Sequence, residues 1–447
     1  MRVLCPGLLL FLFALPPSAA AMDLLEAYRL ARAHDAEFAA ARATRDAERE
    51  QMPQARAGLL PSLTLSGESA WNAREIDNGA NRVDRGYNSH QHTLTLTQPV
   101  FRWQNLMAYA QGKTAAALAE ARFVEAGQQL SLRVSSAYFD VLNALANLEA
   151  ARAQKLAIAQ QLEQARQNFE VGAATIVDAV EAESRHDLAE AQEIASENEL
   201  EIQREALRVM IGDAPELLAR LDAQKAITPP QPAQMSVWVE AAQAHNLGVQ
   251  VAAHNADIAE KEIARAKAGR YPTLDLVASG GRSRTQDGSG LSRPRTEANS
   301  VGLQLNLPLF SGGGISSKAR EAAANHQAAL SLLEAARRNA ALSARQNFLG
   351  VVNGLAQIRA LEAALASSLT SLEHNKTGYE VGVRINIDVL NAEQQVFTTR
   401  RDLARAYHDT LLARLRLKAA IGALDESDLI GVNALLQSRE SAAGGGT

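Results

Sequence analysis

Apolar and polar residues alternate with a period of two in four short stretches, and elsewhere recur at helical spacing. In the first stretch Leu63, Leu65, Gly67, Ser69 and Trp71 share one face, and Thr64, Ser66, Glu68 and Asn72 the other. The second, His90–Gln98, places Leu94 and Leu96 together. The third aligns Leu274, Leu276 and Ala278. The fourth aligns Val301, Leu303, Leu305, Leu307 and Leu309 against Gln304 and Asn306. This alternation predicts strands with one apolar face. Polar loops are expected over 73–89 and 281–298, the latter holding Pro294. Pro99 in QPVF and Pro308 in LPLF are expected to end the second and fourth strands.

The remaining chain reads as helix. Residues 23–57 stop at Gly58 and Pro61, and 237–268 stop at Gly269 and Pro272. Residues 103–168 carry no proline, and an unbroken helix there would run about 100 Å. Its apolar stripe comprises Tyr138, Leu142, Leu145, Leu148, Leu156, Ala159, Leu162 and Phe169, near coiled-coil spacing. A turn at Val171 and Gly172 leads to a helix from Thr175 to Ile211, ended by Gly212. The second half predicts helices over 315–378 and onward to Ile421, with Gly312–Gly314 as the strand-to-helix turn.

The two halves are related. FEVGAATIVDAVE, from Phe169, reappears as YEVGVRINIDVLN from Tyr379, 210 positions later. Tyr138 and Phe348, Asn143 and Asn353, and Gly212 and Gly422 keep the same offset. A doubled unit follows. The first repeat spans 22–225 and the second 237–436, with a linker at 226–236 containing TPPQP.

Composition narrows the class. A net charge of −5 over 447 residues leaves no basic footprint for nucleic acid. Residues 1–21 have the pattern of a secretory signal, with Arg2, the apolar run Leu8–Leu15 and Ala19–Ala21 before Met22. The one cysteine, Cys5, lies inside that segment, so no disulfide or lipid anchor is expected in the exported chain. Residues 437–447 are expected to be a disordered tail. No later stretch looks apolar enough for a membrane-spanning helix, so a membrane would have to be crossed by strands. Four strands cannot close a barrel, and an open edge cannot face lipid. The strands must then be pooled between copies, eight from two chains or twelve from three. Phe101, Trp103, Tyr271 and Phe310, at the strand–helix junctions, would form an interfacial girdle.

Taken in order, LLPSLTLSG with YPTLDLVASG, QPVF with LPLF, AYFDVLNA, and the two VG turns followed by Asp178 and Asp388 resemble the TolC family of outer-membrane efflux and type I secretion channels. The likeness covers nearly all of 23–436 and is strongest to the trimeric TolC type. It implies a mixed α and β membrane protein, mostly α. Three copies would form a 12-stranded transmembrane β-barrel continuous with a long periplasmic α-helical barrel of 12 helices, with a small equatorial region from the linker and C-terminal segments. The implied setting is the outer membrane of a Gram-negative bacterium. The implied partners are outer-membrane lipid, a periplasmic adaptor (membrane fusion) protein and an inner-membrane transporter of RND, ABC or MFS type, with no cofactor.

The resemblance also implies a gate at the periplasmic end. Tyr379, Arg384 and Asp178 match its linking residues, with Arg384 and Asp178 expected to form a charge-assisted pair. Asp388 matches the outer of two acidic ring positions. Asn391 occupies the second, and Val177 stands where a linking threonine is expected. The ring then carries three carboxylates rather than six; it would favour cations and be blocked by multivalent ones. Val171, Gly172, Val381 and Gly382 would be the adaptor-docking tips. From residue type alone, all of these also fit ordinary helix-end charges and turn glycines.

Other chemistry is thin. Gly112-Lys113-Thr114 lacks the earlier glycine of a phosphate loop. His90 and His92 share a strand face, but two ligands are too few for a metal site. No nucleophile–base set stands out. A structural or adhesive coiled-coil envelope protein without a pore is the alternative, and the doubled strand pairs count against it.

Overall fold

The computed structural model describes residues 21–77, 79, 82–172, 175–213, 217–222, 225–287 and 295–437. The expected signal through residue 20 with Cys5, Pro294, and the tail from 438 lie outside these residues.

Three helices come first: α1 (Leu24–His34), α2 (Ala36–Arg49) and α3 (Gln51–Ala57). The single helix expected over 23–57 is therefore broken. Asp35 is the reason: its carboxylate accepts the backbone N–H of Phe38 at 2.6 Å and starts a new helix. Likewise 237–268 divides into α6 (Met235–His245) and α7 (Leu247–Lys267), because Asn246 accepts from the N–H of Val249 at 3.2 Å. Between these groups lie strands β1 (Ser62–Asp77) and β2 (Arg82–Phe101), helices α4 (Trp103–Glu170) and α5 (Ile176–Ile211), and strand β3 (Arg220–Leu221). After α7 come β4 (Thr273–Asp287), β5 (Thr296–Asn306), α8 (Gly314–Glu380), α9 (Asn386–Ala420), α10 (Glu426–Asn433) and β6 (Leu436–Gln437).

The strands are longer than alternation indicated. β1 and β2 pair through most of the expected 73–89 loop, from Asn72 opposite Tyr87 to Asp77 opposite Arg82. Backbone pairing continues there without an apolar stripe to mark it. Pro99 does not end β2; a register shift between Pro99 and Phe101 absorbs the missing N–H. β5 stops at Asn306, before Leu307 and Pro308.

Contacts divide the chain into two compact units. One takes Ala40–Glu125 and Ala242–Ala341; the other takes the remaining segments Met1–Ala39, Ala126–Ala241 and Leu342–Thr447. The first holds one antiparallel sheet in the order β1-β2-β4-β5, so β2 against β4 joins the halves of the chain. One face carries Leu63, Leu65, Leu94, Leu96, Leu274, Leu276, Val301, Leu303 and Leu305 in register. The other carries Thr64, Ser66, Thr93, Thr95, Ser279, Ser300 and Gln304. β5 is exposed along its whole length, and β1 and β5 each have one paired edge. At the strand–helix junction Arg102 grips Asp275 with two bonds, Nε to Oδ1 at 2.8 Å and Nη2 to Oδ2 at 2.5 Å. The Trp103 and Tyr271 rings meet edge to face, centroids 6.5 Å apart. Gly112-Lys113-Thr114 lies inside α4, where the Thr114 hydroxyl donates to Asp257 at 2.8 Å.

In the second unit Trp238, Phe348, Val351 and Leu417 form one core cluster. Farther along, Ile158, Ala189 and Leu390 join α4, α5 and α9, and Leu162, Ala165 and Ala182 join α4 to α5. Alanine at these contacts lets the helices approach closely. Leu156 and Phe169, expected in the stripe of α4, are exposed in the single chain, and Ile158 is buried instead. A short sheet pairs β3 with β6, and Met22 bridges to Leu218 beside it. Tyr138 lies buried beneath, its hydroxyl donating to the carbonyls of Ala219 (2.8 Å) and Met22 (3.1 Å). The leading residues therefore join the segment that follows α5 and the C-terminal segment here.

One expectation is corrected by α8. By length and composition this helix holds a stretch apolar enough to cross a membrane, although little of that stretch is buried within the chain.

Candidate channel gate

The tips of the two helical hairpins are built alike. α4 ends on Gly172 at φ 73° and α8 on Gly382 at φ 77°, a left-handed conformation that glycine adopts without penalty. Val171 and Val381 stand beside them, both exposed. The backbone requirement thus accounts for both glycines, while the valines serve no packing role within the chain.

Past Gly382 the chain folds back, and the N–H groups of Val383 and Arg384 both donate to the Gly378 carbonyl, at 2.9 and 3.1 Å. The Arg384 side chain lies over Gly378. A Cβ at position 378 would sit 2.7 Å from Arg384 Cγ. From there Arg384 Nη1 reaches the Asp388 carboxylate at 3.6 Å, one turn into α9. Asp388 is half-buried, and this single long contact only partly offsets its charge.

Asp178 is used differently. Its carboxylate accepts from the Thr175 N–H at 3.0 Å and the Thr175 hydroxyl at 2.7 Å, closing a capping box at the start of α5. Within the chain, Arg384 therefore pairs with Asp388 and not with Asp178. The Tyr379 hydroxyl accepts a bond from Asn168 Nδ2 at 3.1 Å, tying the end of α8 to the end of α4. Asn391 accepts from Arg185 Nη2 at 3.3 Å, while Arg185 Nη1 donates to Gln394 at 3.2 Å. The structure brings Arg384 to Asp388, Tyr379 to α4, and Asn391 to α5. Asn168, Arg185 and Gly378 escaped the sequence reading. Only Gly378 left a signal, a glycine within the last turn of a long helix.

His90 and His92 are exposed on β2, and no third metal ligand joins them among the described residues. Among the described residues, the grouping that could hold a metal is His186, Asp187 and Glu190 on the exposed side of α5.

An antiparallel sheet with one apolar face, together with paired long helices, is the architecture of an outer-membrane channel protein. The sequence matches the outer membrane efflux protein family over residues 27–213 and 238–423. It is 34% identical over 429 residues to the proteases secretion protein PrtF of Dickeya chrysanthemi, covering 94% of this chain and 92% of that protein. It is 32% identical over 424 residues to the outer membrane protein TolC of Escherichia coli K12, covering 92% of this chain and 85% of TolC. The fold matches the outer membrane protein VceC of Vibrio cholerae with a TM-score of 0.77 at 22% identity, over 89% of this chain and 96% of VceC. The chain belongs to the outer membrane efflux protein family. It is an outer-membrane channel protein of the efflux and type I secretion kind, with its helical part in the periplasm. The family consists of channels rather than enzymes.

Proposed function

We propose that three copies of this chain form one duct. Each contributes four strands to a 12-stranded barrel, and α4, α5, α8 and α9 to a tunnel of 12 helices. The observation that carries this is the sheet itself. Among the described residues β1 and β5 are each unpaired along one edge, beside an apolar face that is exposed along all of β5, and neither edge can meet lipid unsatisfied. The two family matches, one in each half, support reading 22–225 and 237–436 as repeats around the 226–236 linker.

The duct opens to the exterior at the strand loops and meets an adaptor at the tips Val171, Gly172, Val381 and Gly382. An inner-membrane transporter of RND, ABC or MFS type supplies the energy. Asp388 rings the periplasmic entrance, with Tyr379, Arg384, Asp178 and Asn391 as the gate. Because Asp178 is held in its own cap within the chain, its pairing with Arg384 would be made between neighbouring copies. PrtF is a protease secretion protein, which favours secreted protein as cargo.

Planar-bilayer recording on the purified protein tests this reading, with subunit mass measured in parallel. A conducting trimer is expected. A monomer without conductance would overturn it.

A further inference from the structure

The apolar face of the sheet changes character past the row of Leu65, Leu94 and Gly280. The next row on that face is Gly67, His92, Arg282 and Glu297, and the one beyond it Ser69, His90 and Arg284. All seven are exposed. The His92 ring lies across Gly67, with Nδ1 3.2 Å from where a Cβ at that position would stand. Glu297 takes Arg282 at 2.9 Å and Arg295 at 3.2 Å. Arg284 has no acidic partner among the described residues, and it stands directly opposite His90. Three guanidiniums and two imidazoles thus share this part of the face with the Glu297 carboxylate, which pairs with Arg282 and Arg295.

Arg282 and Arg284, two residues apart on one face of β4, gather positive charge that an anion would offset. Arginine on the lipid side of a barrel is most unfavourable at mid-membrane and nearly free at the interface, so these rows belong at headgroup level. They lie toward the strand loops, away from the helices, and so on the exterior side. Guanidinium pairs bind phosphate oxygens with two parallel bonds.

We infer that His90, His92, Arg282 and Arg284 form a site on the outer wall for the phosphate of a lipid headgroup in the outer leaflet. The inference rests on the barrel reading above, which makes this face the lipid face. The apolar rows below the site would take the acyl chains.

The full-length chain, purified from membranes and placed in phosphatidylcholine nanodiscs, is titrated with bisphosphorylated lipid A or its dephosphorylated form. Bound lipid is counted by native mass spectrometry. The phosphorylated form is expected to bind about tenfold more tightly, and Arg282→Gln with Arg284→Gln to abolish the difference. Arg284→Gln alone breaks no ion pair among the described residues; it should weaken the preference while leaving assembly unchanged. Equal binding of both lipids, or an unaltered preference in the double variant, would overturn the site. Displacement by inorganic phosphate would also overturn it, as that marks a free-anion site. Planar-bilayer conductance on the same preparations separates the two readings. Normal conductance without lipid preference removes only the headgroup site, whereas absent conductance removes the channel and the site with it.

Discussion

Asn168 donates its side-chain amide to the Tyr379 hydroxyl at 3.1 Å, so the last turns of α4 and α8 are linked across 211 residues of sequence. The bond is half-exposed and neutral, a contact of about 0.5–1.5 kcal/mol. A gate fastened by such bonds can be opened by a partner that prefers the open state by a few kcal/mol. Tyr379→Phe removes the acceptor and keeps the ring. Single-channel conductance in a planar bilayer is expected to rise, with little change in melting temperature.

Gly378 gives a sharper test, because two effects oppose. Alanine is the better helix former by about 1 kcal/mol. Yet its Cβ would sit 2.7 Å from Arg384 Cγ, so the arginine must leave Asp388. Gly378→Ala is expected to raise conductance and to strengthen block by trivalent cations, as Asp388 loses its partner. Asp388→Ala should abolish that block. Bilayer recording with and without the trivalent ion reads both.

Charge at His408 sets a pH dependence. Burial lowers its pKa from 6.5 to about 4, and its ring stacks on Phe139 while Nδ1 meets Asn143 Oδ1 at 2.6 Å. The unfolded chain takes up a proton near pH 6.5, and the folded chain only near pH 4. Protonation therefore favours unfolding between these values. This contribution is complete above about pH 6.5, is lost as pH falls toward 4, and changes no further below. It amounts to about 3 kcal/mol per chain. His408→Gln should flatten the melting temperature across that window, as followed by circular dichroism.

The Arg102–Asp275 clasp joins the end of β2 to the start of β4, and Asp275 is buried. Asp275→Asn keeps the volume but cannot accept both bonds as an anion, at a cost of about 1–3 kcal/mol. Arg102→Lys loses the planar fork and should behave similarly. A lower temperature of heat dissociation on gel electrophoresis would show either effect.

The valines at the tips test docking. Val171→Asp with Val381→Asp leaves both turn glycines in place and breaks no core contact. Secretion in cells carrying the cognate adaptor and transporter should fall sharply while the bilayer conductance of the purified protein is unchanged.

Periodicity located the long helices and the four strands of the large sheet. Leu63, Leu65, Val301, Leu303 and Leu305 mark strand faces, and the glycines at 172, 212, 382 and 422 mark helix ends, because these signals are local to the backbone. Local signals faded wherever structure rests on a partner. β1 and β2 extend past Asn72 because each supplies the other's hydrogen bonds, which needs no apolar stripe. Asp35 and Asn246 divide helices because a side chain captures a backbone N–H three residues on, a choice that composition does not reveal. The gate divides the same way. The family resemblance singled out Tyr379, Arg384, Asp388 and Asn391 as candidates, but not the partners they have within the chain. That Arg384 meets Asp388, that Asp178 caps its own helix, and that Arg185 reaches Asn391 depend on packing. Pairings between polar side chains are set by which helix faces come together, and only the tertiary structure decides that.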